Sequence, residues 1–376
     1  MVQVLSEHYQ IDHFNDTFAL GHYARVLDGL QLQNRLSVAF KVLRNEHLSP
    51  DGDIRWEYRA FINEADLLTR LGNSPQVVKL YDCGYLASFQ EAPSDGEFVS
   101  FATDVRQFGA VIADYAEKGW RPYLALQNLP RAHNLLYLMK PNRPDVRWRL
   151  PTEEGLALAF QFGQMLKLAH SAGVVYLDHK LEHVYWDGAV LRVIDFNSSR
   201  LLEGFSANEH AQYLRMDVHN LCVGILYPIF TGLSPQKTSL RPMPSGLSEV
   251  ESRYQDITAL DFGVEPSLSP ALQALLQRGA AKQLESADQF LDGLAEVCAL
   301  HGWDLPKQHT TPNNRAARDH MREGLKKLRG GQDQIREARD LFRDAAIMDG
   351  ITSDLEDELR RLVKAANEML THRVIP

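Results

Sequence analysis

In this chain the strand-like segments fall in the first 130 of its 376 residues and the strong helical periodicities mostly after them. That order does not alternate strand with helix, so it predicts an α+β fold, with a small sheet-bearing part ahead of a larger helical one. Residues 17–43, TFALGHYARVLDGLQLQNRLSVAFKVL, read as strand, turn and strand, and QVVKLYDCGYL (76–86) and RPYLALQNL (121–129) are strand-like too. Between them IRWEYRAFINEADLLTRLG (54–72) places Phe61, Ala65, Leu68 and Leu71 on one helical face and stops at Gly72 and Asn73. Residues 86–120 are inserted material. They open as a loop; from Glu97 onward Phe98, Ala102, Val105, Phe108, Ile112 and Tyr115 recur at helical spacing. That spacing predicts an amphipathic helix over about 97–117, free to cover the sheet.

Beyond residue 130, PTEEGLALAFQFGQMLKLAHSAG (151–173) is a helix with Pro151 and Thr152 at its start and Glu153 and Glu154 in its first turn. Short strands and loops follow, then a buried helix over 217–232, DVHNLCVGILYPIFTG. PKQHTTPNNR (306–315) reads as a linker. The expected division is 1–129, 130–305, that linker, and a helical tail over 316–376. In the tail Gly324, Gly331, Ala338, Phe342 and Ala345 follow the small–large pattern of a tetratricopeptide-like hairpin. A single such unit cannot bury its own face, so it packs on the preceding lobe, as a plain helical cap, or on a protein partner.

Several function classes are disfavoured. The net charge is −9 with both signs mixed along the chain, unlike the clustered Lys and Arg of a nucleic-acid surface. No apolar run reaches the length of a membrane span, and MVQVLSEHYQIDHFND lacks the basic start and apolar core of a signal peptide. Cys83, Cys222 and Cys298 are far apart and without metal-ligand spacing, which fits a reducing, cytoplasmic setting.

The chemistry concentrates in residues 174–200, VVYLDHKLEHVYWDGAVLRVIDFNSSR, through Asp178, Lys180 and Asp195. Singly these are ordinary turn or surface residues, as are Lys41 on its strand and Glu64 on its helix. Their order is the informative part: a glycine-bearing strand–turn–strand, a strand lysine, a helix glutamate, Asp-x-Lys, then Asp-Phe after a short strand. In that order the chain resembles the eukaryotic-type protein kinases also found in bacteria, over about residues 15–300. The resemblance implies a bilobal fold and phosphoryl transfer from ATP with Mg²⁺. ALGHYARV (19–26) matches the glycine-rich loop, keeping Gly21 and Val26 but with Ala19 and Ala24 at its outer glycines. VAFK supplies Ala39 against the adenine and Lys41 for the α- and β-phosphates. AFINEADLL supplies Glu64 to hold Lys41. PYLALQNL leads to the hinge, with Leu126 as gatekeeper and Gln127, Asn128 and Leu129 following. Asp178 becomes the base that orients the acceptor hydroxyl, Lys180 the γ-phosphate contact, and Asp195 the metal ligand.

There are departures from the family. His183 stands where the kinases place an asparagine that holds a second metal ion; a ring nitrogen there favours Mn²⁺ over Mg²⁺ more than an amide oxygen does. Asn197 replaces the last glycine of Asp-Phe-Gly, at a position expected to need positive φ. Tyr176 and Leu177 replace a packing histidine and a phosphate-receiving arginine. The segment SSRLLEGFSANEHAQYLRM before Asp217 has no Ala-Pro-Glu motif, so the usual peptide platform is absent. Three readings stand: a phosphotransferase acting on Ser or Thr hydroxyls, a pseudokinase working as a nucleotide-binding or scaffold module, and a small-molecule kinase. Lys180 two residues after the base speaks against the last.

Overall fold

Alternation along LSVAFKVL sets the first sheet: Val38, Phe40 and Val42 are fully buried on one face with Leu27, Tyr123 and Ala125, while Ala39 and Lys41 point to the other. The structure is a computed structural model, and it describes residues 2–12, 23–48, 53–139, 147–236, 247–302, 312–328 and 331–372. In the first lobe, in chain order, are β1 (Gln3–Val4), α1 (Leu5–His8), β2 (Tyr9–Ile11), β3 (Ala24–Gln31), β4 (Leu36–Leu43), α2 (Trp56–Arg70), β5 (Leu80–Leu86), β6 (Glu97–Ser100), α3 (Val105–Ala110), α4 (Ile112–Glu117) and β7 (Arg121–Gln127). The strands form one antiparallel sheet in the order β1-β6-β5-β7-β4-β3-β2.

Three boundaries differ from expectation. The strand expected from residue 17 begins at Ala24, and residues 13–22 lie outside the described residues. Of the expected strand at 76–86 only Leu80–Leu86 is regular, with a bulge between Leu80 and Asp82. The insertion is not one helix from Glu97: Glu97–Ser100 is strand β6, and the helical part is the broken pair α3 and α4. Backbone pairing overrides the apolar period there, because Gly84 lets β5 approach β6 closely. A Cβ at Gly84 would come within 1.9 Å of the Val99 carbonyl oxygen. Phe108 is fully buried, and Tyr115 stacks on Tyr85 at 4.5 Å between ring centres, so the insertion closes over the sheet.

The second lobe holds α5 (Leu135–Leu138), α6 (Thr152–Ser171), β8 (Val174–Val175), β9 (Val184–Trp186), β10 (Leu191–Val193), β11 (Arg200–Leu201), α7 (Ala207–Asn220), α8 (Tyr227–Thr231), α9 (Leu247–Ser252), α10 (Pro270–Ala280) and α11 (Ala287–Leu300). The helix expected at 217–232 starts earlier, at Ala207. A capping box fixes that start: Ser206 accepts from the Glu209 amide, and the Glu209 carboxylate accepts from the Ser206 amide. From Leu221 to Leu226 the helix widens into a π-helical stretch before α8, and Gly232 at φ 72° ends it.

The tail comprises α12 (Pro312–Lys327), α13 (Gln332–Ala346) and α14 (Ser353–His372). Residues 312–315 of the expected linker are therefore helical, and 306–311 lie outside the described residues. α12 packs on α13 and α13 on α14. Ala338, Phe342 and Ala345 are fully buried, and a Cβ at Gly324 would come within 2.3 Å of the Phe342 ring. Among the described residues no helix is long and apolar enough to cross a membrane.

Candidate active site

Glu64 lies on the same helical face as Phe61, Ala65 and Leu68, so the packing that buries α2 takes a carboxylate with it; Glu64 is 0% exposed. A charge in that position needs a partner. Lys41, projecting from β4, supplies it: Lys41 Nζ is 2.7 Å from Glu64 Oε2 and 2.8 Å from Asp195 Oδ1. Burial works against the Lys41 ammonium, but Asp195 and Glu64 outweigh it and hold its pKa well above the usual lysine range. Burial pushes the Glu64 carboxyl upward, and Lys41 opposes that shift. For Asp195, burial also works upward, yet Lys41 and His183 hold the carboxyl below its ordinary value. One lysine thus pairs with a carboxylate of its own lobe, Glu64, and reaches the second lobe through Asp195.

Asp178 and Asp195 come from loops at the end of β8 and β10. β10 pairs with β9 and is also tied to the first lobe, where the Val193 amide donates to the Gln76 carbonyl at 2.7 Å. The backbone just before Asp178 is held by Asp217 of α7. Its carboxylate accepts from the amides of Tyr176 (2.8 Å) and Leu177 (2.7 Å) and lies 3.0 Å from His170 Nε2. Burial would raise the Asp217 pKa, but these donors and His179 outweigh it and keep it low. Two non-glycine residues here have positive φ: Leu177 at 66° and Asp195 at 63°. Asn197 does not, so the expectation of positive φ at that position is corrected; the left-handed residue is the aspartate two places earlier. Such conformations persist only where surroundings over-determine them. At Leu177 the amide is held by Asp217, and the carbonyl accepts from Asn220 Nδ2 at 3.1 Å.

His183 stands between the two aspartates. Its Nδ1 is 3.1 Å from the Asp178 carbonyl oxygen, and its Nε2 is 3.3 Å from Asp195 Oδ2. Lys180 Nζ is 3.0 Å from Asp178 Oδ2. Arg253, just past α9, pairs with Asp178 Oδ1. Burial would raise the Asp178 pKa, but the neighbouring His183, Lys180 and Arg253 outweigh it and hold the carboxyl well below the usual carboxylate range.

Among the described residues no three His, Cys, Asp or Glu side chains form a ready metal cage. Mg²⁺ does not require one, because it keeps waters and shares phosphate oxygens with one or two carboxylates. Two ligand atoms set at right angles about 2.1 Å from one ion stand about 3.0 Å apart. The separation of His183 Nε2 from Asp195 Oδ2 is compatible with that edge, so this pair fits a divalent cation.

The structure brings Lys41, Glu64, Asp178, Lys180, His183 and Asp195 into one cluster. Of the residues expected to line a nucleotide, Val26 lies opposite Lys41 in the β3–β4 register, and Ala39 lies opposite Leu126 across β4 and β7. Gln127 ends β7, and its amide donates to the Lys79 carbonyl at 2.8 Å. Leu129 is half-buried beyond it, and Gly21 lies outside the described residues. Asn128 ties the connection to β3 and β4 through Asp28 (3.3 Å) and Ser37 (3.0 Å). Sequence reasoning missed Arg253 and Asn63. Asn63 Nδ2 donates to the Ser199 carbonyl at 3.0 Å, fastening α2 to the segment after Asp195. Neither carries a local signal, because each acts across a tertiary contact.

A curled antiparallel sheet carrying the lysine, a helix carrying its glutamate, and a helical lobe carrying the two aspartates define a bilobal, protein-kinase-like fold. No protein-family model matches the chain, and no curated relative matches it. Among solved structures it is similar to PK-1, the kinase of Cydia pomonella granulovirus, at TM-score 0.49 and 15% identity over 76% of this chain and 95% of that one.

Proposed function

We propose that the chain is an ATP- and Mg²⁺-dependent phosphotransferase of protein-kinase type, acting on Ser or Thr hydroxyls. The observation that carries this reading is Lys41 clasped between Glu64 and Asp195 at ion-pair distance, the arrangement needed to hold phosphates beside a metal carboxylate. Lys41 would bind the α- and β-phosphate oxygens, held in position by Glu64. Asp195, with His183 beside it, would hold the cation, which neutralises charge on the β- and γ-oxygens when bound. Asp178 would accept the acceptor's proton as its oxygen bonds to the γ-phosphorus and the bond to the β-phosphate oxygen breaks, releasing ADP. Lys180 would follow the charge on the transferred group.

Paired substitutions test this. Asp195→Ala should abolish the Mg²⁺-dependent part of nucleotide affinity, while Asp178→Ala should leave affinity nearly intact and remove turnover. Titrating each variant with ATP, with and without Mg²⁺, alongside a turnover assay decides it; parent-like behaviour of both would mean the site is wrongly assigned. The pseudokinase reading has one observation in its favour: the Asp178 side chain is only 4% exposed. Nucleotide binding without turnover under any condition would establish it instead.

A further inference from the structure

The two sides of the site differ in access. Asp195 keeps 24% of its side chain exposed, whereas Asp178, Arg253 and Lys180 keep 4%, 5% and 9%. The cation side of the proposed site is thus the more open, and the acceptor side the more closed. What closes the acceptor side is residues 249–257, which run from α9 across the catalytic loop. Val250 is buried among Val175, Leu177 and Leu202. Glu251 pairs with Arg200 at 2.5 Å. Tyr254 donates from its hydroxyl to the His179 carbonyl at 3.0 Å, and its own carbonyl lies 2.9 Å from His219 Nε2. At the centre Arg253 Nη1 bonds Asp178 Oδ1, on the carboxylate that has to receive the acceptor. Among the described residues Arg253 Nη2 is buried without a hydrogen-bond partner.

We propose that residues 249–257 are an autoinhibitory strap, with Arg253 as the latch that occupies the acceptor's place on Asp178; this rests on the phosphotransferase reading above. The shortened segment between Asp195 and α7 leaves room for the strap where a peptide platform is missing. Opening requires Arg253 to leave Asp178 and Val250 to leave its apolar seat. Nucleotide affinity is expected to be indifferent to the strap, because none of its contacts named above reaches Lys41, Glu64 or Asp195.

The test uses the full chain and two variants outside the catalytic machinery. Arg253→Met removes the latch, and Glu251→Gln loosens the strap away from Asp178. The first readout is carbodiimide-driven coupling of glycine ethyl ester to Asp178, followed by mass spectrometry, which needs no catalysis. The second is Mg·ATP affinity, and the third is phosphate transfer to dephosphorylated casein. Expected are faster labelling of Asp178 in both variants, unchanged affinity, and turnover raised about tenfold or more in Arg253→Met, the scale of one charge-assisted hydrogen bond. Equal labelling in all three proteins overturns the proposal. So does faster labelling of Asp178 confined to Arg253→Met, which would mark local loss of a charge rather than an opened strap. Faster labelling without faster turnover, with Mg·ATP still bound, also overturns the inhibitory role. Absence of Mg·ATP binding in all three proteins would defeat the phosphotransferase reading itself, and the inhibitory role with it.

Discussion

His183 Nε2 faces Asp195 Oδ2 at 3.3 Å, so in the proposed phosphotransferase this one ring would bear directly on cation preference. Nitrogen ligation shifts preference toward later divalent ions, whereas an amide oxygen suits Mg²⁺. His183→Asn should therefore raise Mg²⁺-supported turnover and lower the rate ratio of Mn²⁺ to Mg²⁺, as initial rates with each metal would show. An unchanged ratio would remove His183 from the metal's shell. Lys41 permits a test without catalysis. Replacing it by Met strands Glu64, fully buried, without its cation, which should cost about 3 kcal/mol in urea unfolding at pH 7. Adding Glu64→Leu should recover most of that loss, because the fully buried carboxylate is then gone, while Asp195, the other partner of Lys41, is 24% exposed and keeps His183 at 3.3 Å. If the double variant is as unstable as the single, the ion pair is not what the first substitution damaged. Lys41, Glu64, Asp178, Lys180 and Asp195 were all legible as a candidate set from their order along the chain. The Arg253 contact was not, since nothing within SEVESRYQD indicates that its arginine meets a carboxylate 75 positions earlier.

Among the elements, α7 ties together the second lobe through Asp217, which holds the Tyr176 and Leu177 amides and meets His170 of α6. Its folded carboxyl is held below the ordinary value of about 3.9, so its stabilisation is complete above that pH and is lost as pH falls through the lower folded value. Asp217→Asn should cost about 2 kcal/mol at neutral pH, and the deficit relative to the parent should shrink below about pH 4. Denaturant titrations at several pH values would show it, and a deficit that stayed constant with pH would argue against ionised Asp217 as the source. The early start of α7 was readable in principle: Ser206 and Glu209 have capping-box spacing, but the apolar run beginning near Asp217 drew the boundary to itself. The strand at Glu97–Ser100 was less accessible. Its apolar residues also fit a helical period, and only the close backbone approach at Gly84 decides between the two. The short strands β1 and β2 carry too few residues for any period to show.

On the scale of the whole molecule, the three tail helices pack principally on one another. Gly324→Leu should force α12 away from the Phe342 ring, lowering the temperature at which part of the far-UV helical signal is lost while leaving Mg·ATP affinity unchanged. A simultaneous fall in nucleotide affinity would instead couple the tail to the site. The sheet of the first lobe has an unusual origin for its margins. β1 pairs with β6, and β2 pairs with β3, so one stretch of the chain, Gln3–Ile11, borders the sheet on both sides. During synthesis those residues emerge before the rest of this lobe, yet Gln3 must wait for Phe98, and the strand at Arg121–Gln127 that joins the two halves comes later still. At about 5–20 residues per second the unpaired strands are exposed on the ribosome for several seconds. Bare strand edges recruit other chains, so neighbouring ribosomes on one message would present matching half-sheets to each other. The pace of translation through the first lobe, rather than the stability of the finished fold, would then govern how much of this protein reaches its native state.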